Sequence, residues 1–487
     1  MRGVVTLRRT VSLLWLCLCL EAQPAHANSS EPSPHIGDVD DIMGLLWKHG
    51  LHDYEHERFN VYGQLTWISS FKLPFHAAYS NLNGSSGSLS NRFEHSFTGT
   101  LTAFAGVRLW RGAEVYYVPE VIMERPLSNL KGLGGAIQNF ELQKTGGIAP
   151  TIYQSRFYLK QTFDLGGSTS VRISDPQQLQ VGVKSRRVVL TFGNYSVLDM
   201  LDKNSVSGDL RRGLFNMAFL TYAAYDFAAD ARGYTWAGTV ELYLDAWALR
   251  FVHAVAPVHP NQLELRYDFW KYYGQQIEVE HDHILHGAPG AVRVLAYRNH
   301  EVIGTFADAL KTLGPGRNAS TCSDFHYDSV NASAPDLCWS RRPNTKWGVG
   351  ASIEQTVYRD IGIFVRGMYS DGKTEVYSYT SADRSLSLGV LGRGASWRRS
   401  KDFAGLGYGV SWISAVHAEY LRRGGIDGFV GDGSLHEGPE GVFEAFYGVN
   451  LAGSAWLSGD YQHITNPGYN RDRGPVDIFG ARFHAEF

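Results

Sequence analysis

The sequence lacks the features that mark several common classes of protein. After Leu20, no uninterrupted apolar run approaches the roughly 18 to 20 residues that a membrane-spanning helix needs. Lysine and arginine (45) do not outnumber aspartate and glutamate (48), whereas nucleic-acid binding calls for a clustered basic face. No Gly-x-Ser-x-Gly elbow, His-Glu-x-x-His helix or phosphate-binding Gly-x-x-x-x-Gly-Lys loop stands in a fitting context. These absences argue against a helical membrane protein, a nucleic-acid-binding protein and the common hydrolases.

The start of the chain predicts a cleavable secretory signal. Three arginines precede the apolar run 11–20, and Ala25-His26-Ala27 then supplies a small-x-small cleavage site. We therefore assign residues 1–27 to a signal peptide and expect the mature chain to be exported. Loss of these three arginines and one glutamate leaves 42 basic and 47 acidic residues, a formal charge of about −5.

Cysteine is scarce, with four residues in the whole chain. Cys17 and Cys19 lie within the predicted signal peptide and leave with it. Cys322 and Cys338 remain as a close pair in a polar stretch of an exported chain, and the compartment permits oxidation. Because two cysteines alone fall short of the four ligands of a structural zinc site, we expect a disulfide between them.

The sequence is rich in segments that alternate between apolar and polar residues. The clearest one closes the chain, where Phe479, Ala481, Phe483, Ala485 and Phe487 alternate with Gly480, Arg482, His484 and Glu486. A period of two predicts an extended strand with one apolar and one polar face. Taken alone, the segment fits either an edge strand of a soluble sheet or a strand of a membrane β-barrel.

Sixteen segments share this pattern, and together they predict an all-β fold. They are residues 59–67, 97–109, 113–119, 154–163, 186–195, 215–225, 233–243, 247–255, 276–285, 292–299, 346–358, 361–370, 402–412, 442–450, 455–463 and 476–487. We predict a transmembrane antiparallel β-barrel of about 16 strands. Counts of 14 or 18 stay open, because 263–273 and 415–422 fit either a strand or a loop.

Connections of unequal length support the barrel over a soluble sheet. Long polar connections are predicted at 70–95, 120–153, 300–344, 371–401 and 423–440, and short turns separate other segments. Loops beyond about 15 residues are unusual in a compact soluble domain and usual on the outer side of a membrane barrel. We assign 28–57 to a periplasmic lead-in with a short helix begun by Asp38 or Asp40, and 58–487 to the barrel.

Charged residues on the faces predicted to point inward are the candidates for contact with a solute. If the turn after Trp110 is centred on Arg111, Arg108 and Glu114 lie opposite one another. The candidates for lining the lumen are Arg108, Glu114, Glu120, Arg156, Lys160, Arg250 and Arg366. Such side chains can exchange hydrogen bonds with sugar hydroxyls, or they can satisfy one another.

One segment has the residue types of a metal site. His281 and His283 share a face if 276–285 is a strand, and His286 follows closely. The same pattern suits a histidine pair at a membrane interface or in a lumen, so we predict no metal and no other cofactor. Carboxylates are numerous, and a glycosidase-type pair cannot be told apart from the rest.

Several stretches resemble the carbohydrate-selective porins of the OprB family. They include Leu198-Asp-Met-Leu-Asp-Lys-Asn204 and, as the most specific match, Tyr461-Gln-His-Ile-Thr-Asn-Pro-Gly-Tyr-Asn-Arg-Asp-Arg-Gly-Pro475. The other matching stretches are residues 60–64, 106–120, 157–163, 190–194, 225–236 and 247–250. Two features depart from the family pattern: Arg111 replaces the proline of the Leu-Trp-x-Gly turn, and the long 300–344 connection with its cysteine pair is not placed by that pattern.

The resemblance implies a sixteen-stranded barrel through which sugars diffuse, with arginines and acids at its constriction. By motif, Arg108, Glu114 and Glu120 take those positions. We expect a non-enzymatic channel in the bacterial outer membrane for mono- or oligosaccharides. Its expected partners are outer-membrane lipid and the barrel-assembly machinery, with a homotrimer left open and no nucleic acid. The alternatives are an export channel for a secreted polysaccharide and a glycan-acting enzyme.

Overall fold

The computed structural model describes residues 41–312, 322, 325–327, 331 and 333–487. The predicted signal peptide and the first part of the lead-in, with Asp38 and Asp40, lie outside the described residues. A short helix α1 (Ile42–Lys48) is capped by Asp41, whose carboxylate accepts a hydrogen bond from the Gly44 N–H. None of the helices in the described part of the chain is long and apolar enough to cross a membrane.

Seventeen strands follow α1 in the described residues. They are β1 (Phe59–Lys72), β2 (Glu94–Trp110), β3 (Ala113–Arg125), β4 (Thr151–Arg172), β5 (Val181–Tyr195), β6 (Thr235–Leu244), β7 (Trp247–Pro257), β8 (Leu265–Arg266), β9 (Tyr273–Leu285), β10 (Ala288–Ile303), β11 (Arg342–Tyr358), β12 (Ile361–Ser370), β13 (Arg384–Arg393), β14 (Phe403–Trp412), β15 (Glu440–Ala452), β16 (Ala455–Thr465) and β17 (Val476–Glu486). The other helices are α2 (Met217–Leu220), α3 (Phe306–Lys311) and α4 (Ala415–Arg422).

Sixteen of these strands close into one antiparallel barrel, which confirms the predicted fold. Each strand pairs with its neighbours in sequence, with β7 pairing directly with β9, and β1 pairs with both β2 and β17. The closing pair sets Trp67 opposite Phe483 and Gln64 opposite Glu486. The two-residue β8 pairs only with the end of β7 and is not part of the barrel wall.

The predicted number of sixteen is correct, but two of the underlying assignments are wrong. Residues 215–225 form α2 and a buried loop rather than a strand. The predicted connection 371–401 instead contains the strand β13. The open segment 415–422 is α4, and 263–273 is a loop that carries the short β8.

The alternating pattern places apolar residues outside and polar residues inside. On β1, Leu65, Trp67 and Phe71 are each about two-fifths exposed. Their inward-facing neighbours Thr66 and Lys72 are fully buried. This inverted arrangement suits a wall between lipid and a polar interior, because only alternate residues of a barrel strand face lipid.

The two ends of the barrel differ in the length of their connections. Turns at residues 111–112, 245–246, 286–287, 359–360 and 453–454 lie at one end, near the start of β1 and the end of β17. Connections at 73–93, 126–150, 196–234, 304–341 and 413–439 lie at the other end. Short turns face the periplasm in outer-membrane barrels and long loops face outward, so the first end is periplasmic.

Two long loops fold back into the barrel and fill much of its interior. The loop 196–234 between β5 and β6 buries nearly all residues from Gly213 to Ala231. Residues Gly132 to Asn139 of the loop between β3 and β4 are also buried. Their apolar side chains pack with the inner wall into clusters that include Leu133, Phe219 and Phe364. The interior is therefore narrowed by loops and not only by strand side chains.

Candidate functional site

The loop 196–234 is tied to the inner wall by carboxylates that accept its backbone N–H groups. Glu278 on β9 accepts from Asp202 N at 2.8 Å, and Glu354 on β11 accepts from Ser205 N at 2.6 Å. Glu444 on β15 accepts from Phe215 N and Asn216 N at 2.8 and 3.0 Å. These contacts hold the loop across the barrel from β9 to β15, because each buried backbone donor needs an acceptor.

Arg366 and Asp202 bury a pair of opposite charges beneath this loop. Arg366 on β12 is 1% exposed and donates to the Phe219 carbonyl at 3.1 Å, and its guanidinium lies 3.5 Å from the Asp202 carboxylate. Burial raises the pKa of Asp202 to about 7, and Arg366 opposes that rise. Arg366 therefore holds the loop 196–234 against the wall, and its side chain has almost no exposed surface for contact with a solute.

Arg108, Glu114 and Lys160 form one cluster on the inner wall, near its periplasmic end. The structure sets Arg108 opposite Glu114 in the β2–β3 hairpin, as the turn geometry predicted, with 3.1 Å between their charged groups. Lys160 on β4 reaches the other Glu114 oxygen at 2.8 Å, and its ammonium lies 5.0 Å from the centre of the Tyr116 ring. The side chains of Arg108 and Lys160 keep 21% and 24% of their surface exposed.

Arg156 faces the loop 196–234 from the same wall. Its guanidinium holds Asp199 with two hydrogen bonds of 2.7 Å, a planar two-point contact that fixes both side chains. Arg156 and Asp199 are 15% and 19% exposed. They therefore join the wall to the loop and also keep a polar edge in water.

Glu120 belongs to a neighbouring network that extends between two loops. It pairs with Lys144 at 2.5 Å and accepts from Thr102 at 2.8 Å. Lys144 also approaches Glu141, and Glu141 pairs with Arg211 of the loop 196–234 at 2.6 Å. Glu120 is 2% exposed, so its carboxylate organises the loops rather than presenting a surface of its own.

Arg250 lies in a belt of alternating charges farther round the wall, on β6, β7 and β9. It pairs with Glu241, Glu278 and Glu280 at 3.2, 2.9 and 2.8 Å. Arg293 then connects Glu280 to Glu354 and extends the belt to β11. Arg250 is 3% exposed and is occupied by its three carboxylates. The seven predicted residues thus fall into separate groups and not into one ring.

The loop 196–234 also carries charged residues that the sequence analysis did not single out. Asp209 and Arg212 pair at 2.8 Å with side chains 44% and 33% exposed, and Arg212 lies 3.5 Å from Glu486 on the last strand. Lys203 is exposed and has no ion pair among the residues that the structure describes. Of these three loop residues, only Lys203 lies in the family-like stretch Leu198 to Asn204, and the inward fold of the loop is not encoded in its local pattern.

The lead-in and the β4–β5 turn close in on the periplasmic mouth. Met43 of α1 packs against Tyr62, Phe104 and Val118, which point inward from β1, β2 and β3. The carboxylate of Glu57 accepts a hydrogen bond from Ser174 in the turn between β4 and β5 at 2.6 Å. The mouth is thereby narrowed by residues from the chain start and from a turn.

The histidines considered as metal ligands lie on the outer face of the barrel. The His281 ring packs against Trp247 with centroids 4.3 Å apart and the ring planes tilted by 54°, and His283 hydrogen-bonds Gln355 at 2.9 Å. Within the described ranges, no group of three or more His, Cys, Asp and Glu side chains is placed to hold a metal ion. Cys322 and Cys338 are joined by a disulfide, with Cα atoms 5.1 Å apart.

Comparison with known proteins gives a consistent result. The family model described as "Carbohydrate-selective porin, OprB family" matches residues 88–487. The high-pH structure of OprB from Pseudomonas putida is similar over 91% of this chain and 97% of its own, at 14% identity and a TM-score of 0.64. The outer-membrane channel DcaP of Acinetobacter baumannii covers 88% and is itself covered to 97%, at 10% identity and a TM-score of 0.47. No curated protein sequence matches the chain.

Proposed function

Because this chain belongs to the OprB family of carbohydrate-selective porins, we propose that sugars cross its barrel along the gap between Arg108, Arg156 and Lys160 on the wall and the loop 196–234. The protein is an outer-membrane sugar porin, and this gap is the proposed path of the sugar. The family match favours this function over the export channel. We further propose that passage is passive, without catalysis or a cofactor.

The main support for this path is that several paired charged side chains stay partly exposed in an otherwise filled interior. Arg108, Arg156, Lys160 and Asp199 each keep between 15% and 24% of their side-chain surface free, whereas Arg250 and Arg366 keep 4% or less. Charged groups that are already paired can still offer donors and acceptors to hydroxyl groups at modest desolvation cost. The exposed edge of this wall is therefore suited to a polar, uncharged solute.

Aromatic rings pack beside these charges. Tyr116 and Tyr158 lie next to one another with centroids 5.3 Å apart, and Lys160 sits over the Tyr116 ring. Tyr234 lies on the other side of the gap, 5.2 Å from the Arg156 guanidinium. Tyr116, Tyr158 and Tyr234 are 1%, 5% and 7% exposed, so these rings hold the charged side chains in place and leave contact with sugar hydroxyls to Arg108, Arg156 and Lys160. We propose mono- or oligosaccharides as the solutes.

Lys160→Gln is the variant that tests this path. The substitution keeps a hydrogen-bonding side chain but removes the ammonium that meets Glu114, so one charge-assisted contact to a sugar is lost. A hydrogen bond to a charged group is worth about 1.5 to 3 kcal/mol and a neutral one about 0.5 to 1.5 kcal/mol, so the exchange costs about 1 kcal/mol, which corresponds to about a fivefold weaker block of ion current by sugars. The block should be measured in planar bilayers with a mono- to trisaccharide series, and sugar entry by liposome swelling.

Lys184→Gln is the matched control, because Lys184 is partly exposed on the β4–β5 hairpin and donates to Thr169 Oγ1 at 2.8 Å. It should leave the block unchanged. If Lys160→Gln behaves like Lys184→Gln while the wild type admits sugars, the path is wrong although the porin function stands. Cleavage of an oligosaccharide by the purified protein would contradict the absence of catalysis. Assembly through the barrel-assembly machinery and a homotrimeric state remain proposals alongside the path.

A further inference from the structure

Three arginines lie on the outer face of the barrel at its extracellular end. Arg125 is the last residue of β3, Arg384 is the first residue of β13, and Arg298 lies near the end of β10. All three are exposed and share the face of apolar residues that the barrel turns outward, such as Met123, Val294 and Leu386. Their guanidinium groups therefore stand where the wall emerges from the hydrocarbon into the outer headgroup region.

Each of these arginines is supported by an aromatic ring and not by an acid. The distances from the guanidinium carbon to the ring centre are 5.6 Å for Arg125 over Phe97, 5.4 Å for Arg298 over Tyr273, and 5.0 Å for Arg384 over Tyr369. Among the residues that the structure describes, none of the three has a carboxylate within 4.0 Å.

The hydrogen bonds that these arginines do make are with neutral groups. Arg125 donates to the His95 carbonyl at 3.0 Å and its other nitrogen lies 2.9 Å from His95 Nδ1. Arg298 donates to the Tyr273 hydroxyl at 2.6 Å and to Gln275 Oε1 at 3.0 Å. These contacts orient the guanidinium planes of Arg125 and Arg298, and none of the three charges has a counterion among the described residues.

Three arginines at the periplasmic end pair with acids of the chain, whereas Arg359 at that end lies 5.2 Å from the centre of the Tyr358 ring, as in the extracellular set. Arg111, Arg186 and Arg399 pair with Asp164, Asp245 and Asp402 at 3.7, 2.7 and 2.5 Å. At that end the chain supplies its own anions for these arginines. The extracellular set has no such partner among the described residues, so its guanidinium groups are open to an anion from outside the protein.

We propose that Arg125, Arg298 and Arg384 bind phosphate groups on the headgroups of an outer-leaflet glycolipid. A guanidinium presents two parallel donors that match a phosphate, and its planar face stacks on an aromatic ring at the same time. Cations near an anionic membrane surface contribute about 1 kcal/mol each to the attraction. Because all three face outward, the ligand is a lipid of the surrounding membrane and not a solute in the lumen.

The test compares two triple variants with the same change in charge. The extracellular variant carries Arg125→Gln, Arg298→Gln and Arg384→Gln. The control variant replaces Arg111, Arg186 and Arg399 by glutamine. Full-length protein in detergent is incubated with diphosphorylated lipid A, with the same lipid after removal of its phosphates, or with inorganic phosphate alone. Retained lipid is counted by native mass spectrometry after gel filtration.

Wild type and control should retain the phosphorylated lipid, and the extracellular variant should retain at least fivefold less. The dephosphorylated lipid should not be retained by any of the three proteins. Equal retention by both triple variants overturns the proposal, as does equal retention of the lipid without phosphates. Displacement of the lipid by millimolar inorganic phosphate overturns it in favour of a free-phosphate site.

Folding of the variants can be checked separately. Heat-modifiable migration and single-channel conductance should match the wild type, because the substituted side chains lie outside the lumen. If the triple variant does not fold, each single variant is assayed, and each should lower lipid retention on its own. Single variants that all retain lipid like the wild type count against the proposal.

Discussion

Glu440 holds the loop between β3 and β4 inside the barrel, and its substitution should release that loop. Its two carboxylate oxygens accept hydrogen bonds from Gly134 N, Gly135 N and Ala136 N at 2.8 to 3.1 Å, and from Gly468 N at 2.8 Å. Four backbone donors thus converge on one buried anion. The successive N–H groups of residues 134–136 form a concave anion-binding turn around it.

Glu440→Gln preserves the shape of the side chain and removes half of its acceptors. One amide oxygen can still accept from two donors, but the amide nitrogen turns its own hydrogens toward the donors that faced the second oxygen. Gly135 N and Ala136 N then lose their acceptor in a buried place. A hydrogen bond to a charged group is worth about 1.5 to 3 kcal/mol, so the inward position of the loop should lose about 3 to 6 kcal/mol, as an upper bound.

Single-channel conductance and tryptic digestion both measure whether the loop has left the lumen. The buried segment lies between Lys131 and Lys144, and the Lys144 side chain is only 9% exposed while it pairs with Glu120. In Glu440→Gln we expect larger, flickering conductance and faster tryptic cleavage after Lys131 and after Lys144 in intact proteoliposomes. Sugar block should weaken together with the gain in conductance, since the passage widens.

Glu437→Gln provides the matched control three residues earlier. Glu437 is 45% exposed and lies 3.7 Å from Arg422 in an exposed ion pair, which contributes little to stability. This variant should keep the conductance and tryptic pattern of the wild type. If Glu440→Gln also keeps both, the carboxylate does not hold the loop and the reasoning fails.

Two further predictions concern the outer loops and the chain end. Burial raises the pKa of Asp427 to about 7, and its carboxyl lies 3.3 Å from His417 Nε2, while His417 Nδ1 lies 3.1 Å from Asp383. This pKa exceeds the value of about 3.9 in the unfolded chain, so the protonated Asp427 carboxyl favours the folded state. That contribution to the free energy of unfolding is complete below about pH 4 and is lost as the pH rises through 7. Relative to Asp427→Asn, the free energy of unfolding of the wild type should fall by about 2 kcal/mol between about pH 5.5 and 8.5, measured by heat-modifiability titrations. Parallel curves for the two proteins would contradict this. Phe487 exchanges backbone hydrogen bonds with Gly63, so its deletion should lower the amount of heat-modifiable barrel in the outer membrane, and unchanged amounts would refute this assembly role.

The barrel wall could be predicted from the sequence because it depends on a local pattern. Residues two apart share a face, lipid requires that face to be apolar, and short turns bring neighbouring strands into register. The Arg108–Glu114 pairing is confirmed, although the turn spans residues 111–112 and a bulge between Arg108 and Trp110 sets the register. β13 escaped prediction because Ser385, Ser387 and Gly389 give its inner face the composition of a loop, and the space is filled by Phe219 and Tyr222 from elsewhere in the chain.

The opposite error at 215–225 has the same physical origin. Phe215, Met217 and Phe219 are apolar at alternate positions, which satisfies the period of a strand. A strand, however, needs partners for its backbone on both edges, and here Glu444 takes the N–H groups of Phe215 and Asn216. The segment is apolar because it is surrounded by protein inside the barrel, not because it faces lipid.

The narrow part of the lumen could not be predicted because its contacts join distant parts of the chain. Glu444 meets Phe215 across 229 residues, and Arg156 meets Asp199 across 43. The alternation of apolar and polar residues does not indicate which wall carboxylate accepts a hydrogen bond from which loop N–H. It follows that the wall determines that a polar solute can enter, while the infolded loops determine its size and the charges it meets. Changes in sugar preference within this family are therefore expected to arise in the loops and in the wall carboxylates that hold them, more than in strand residues such as Arg250 that are saturated by their neighbours.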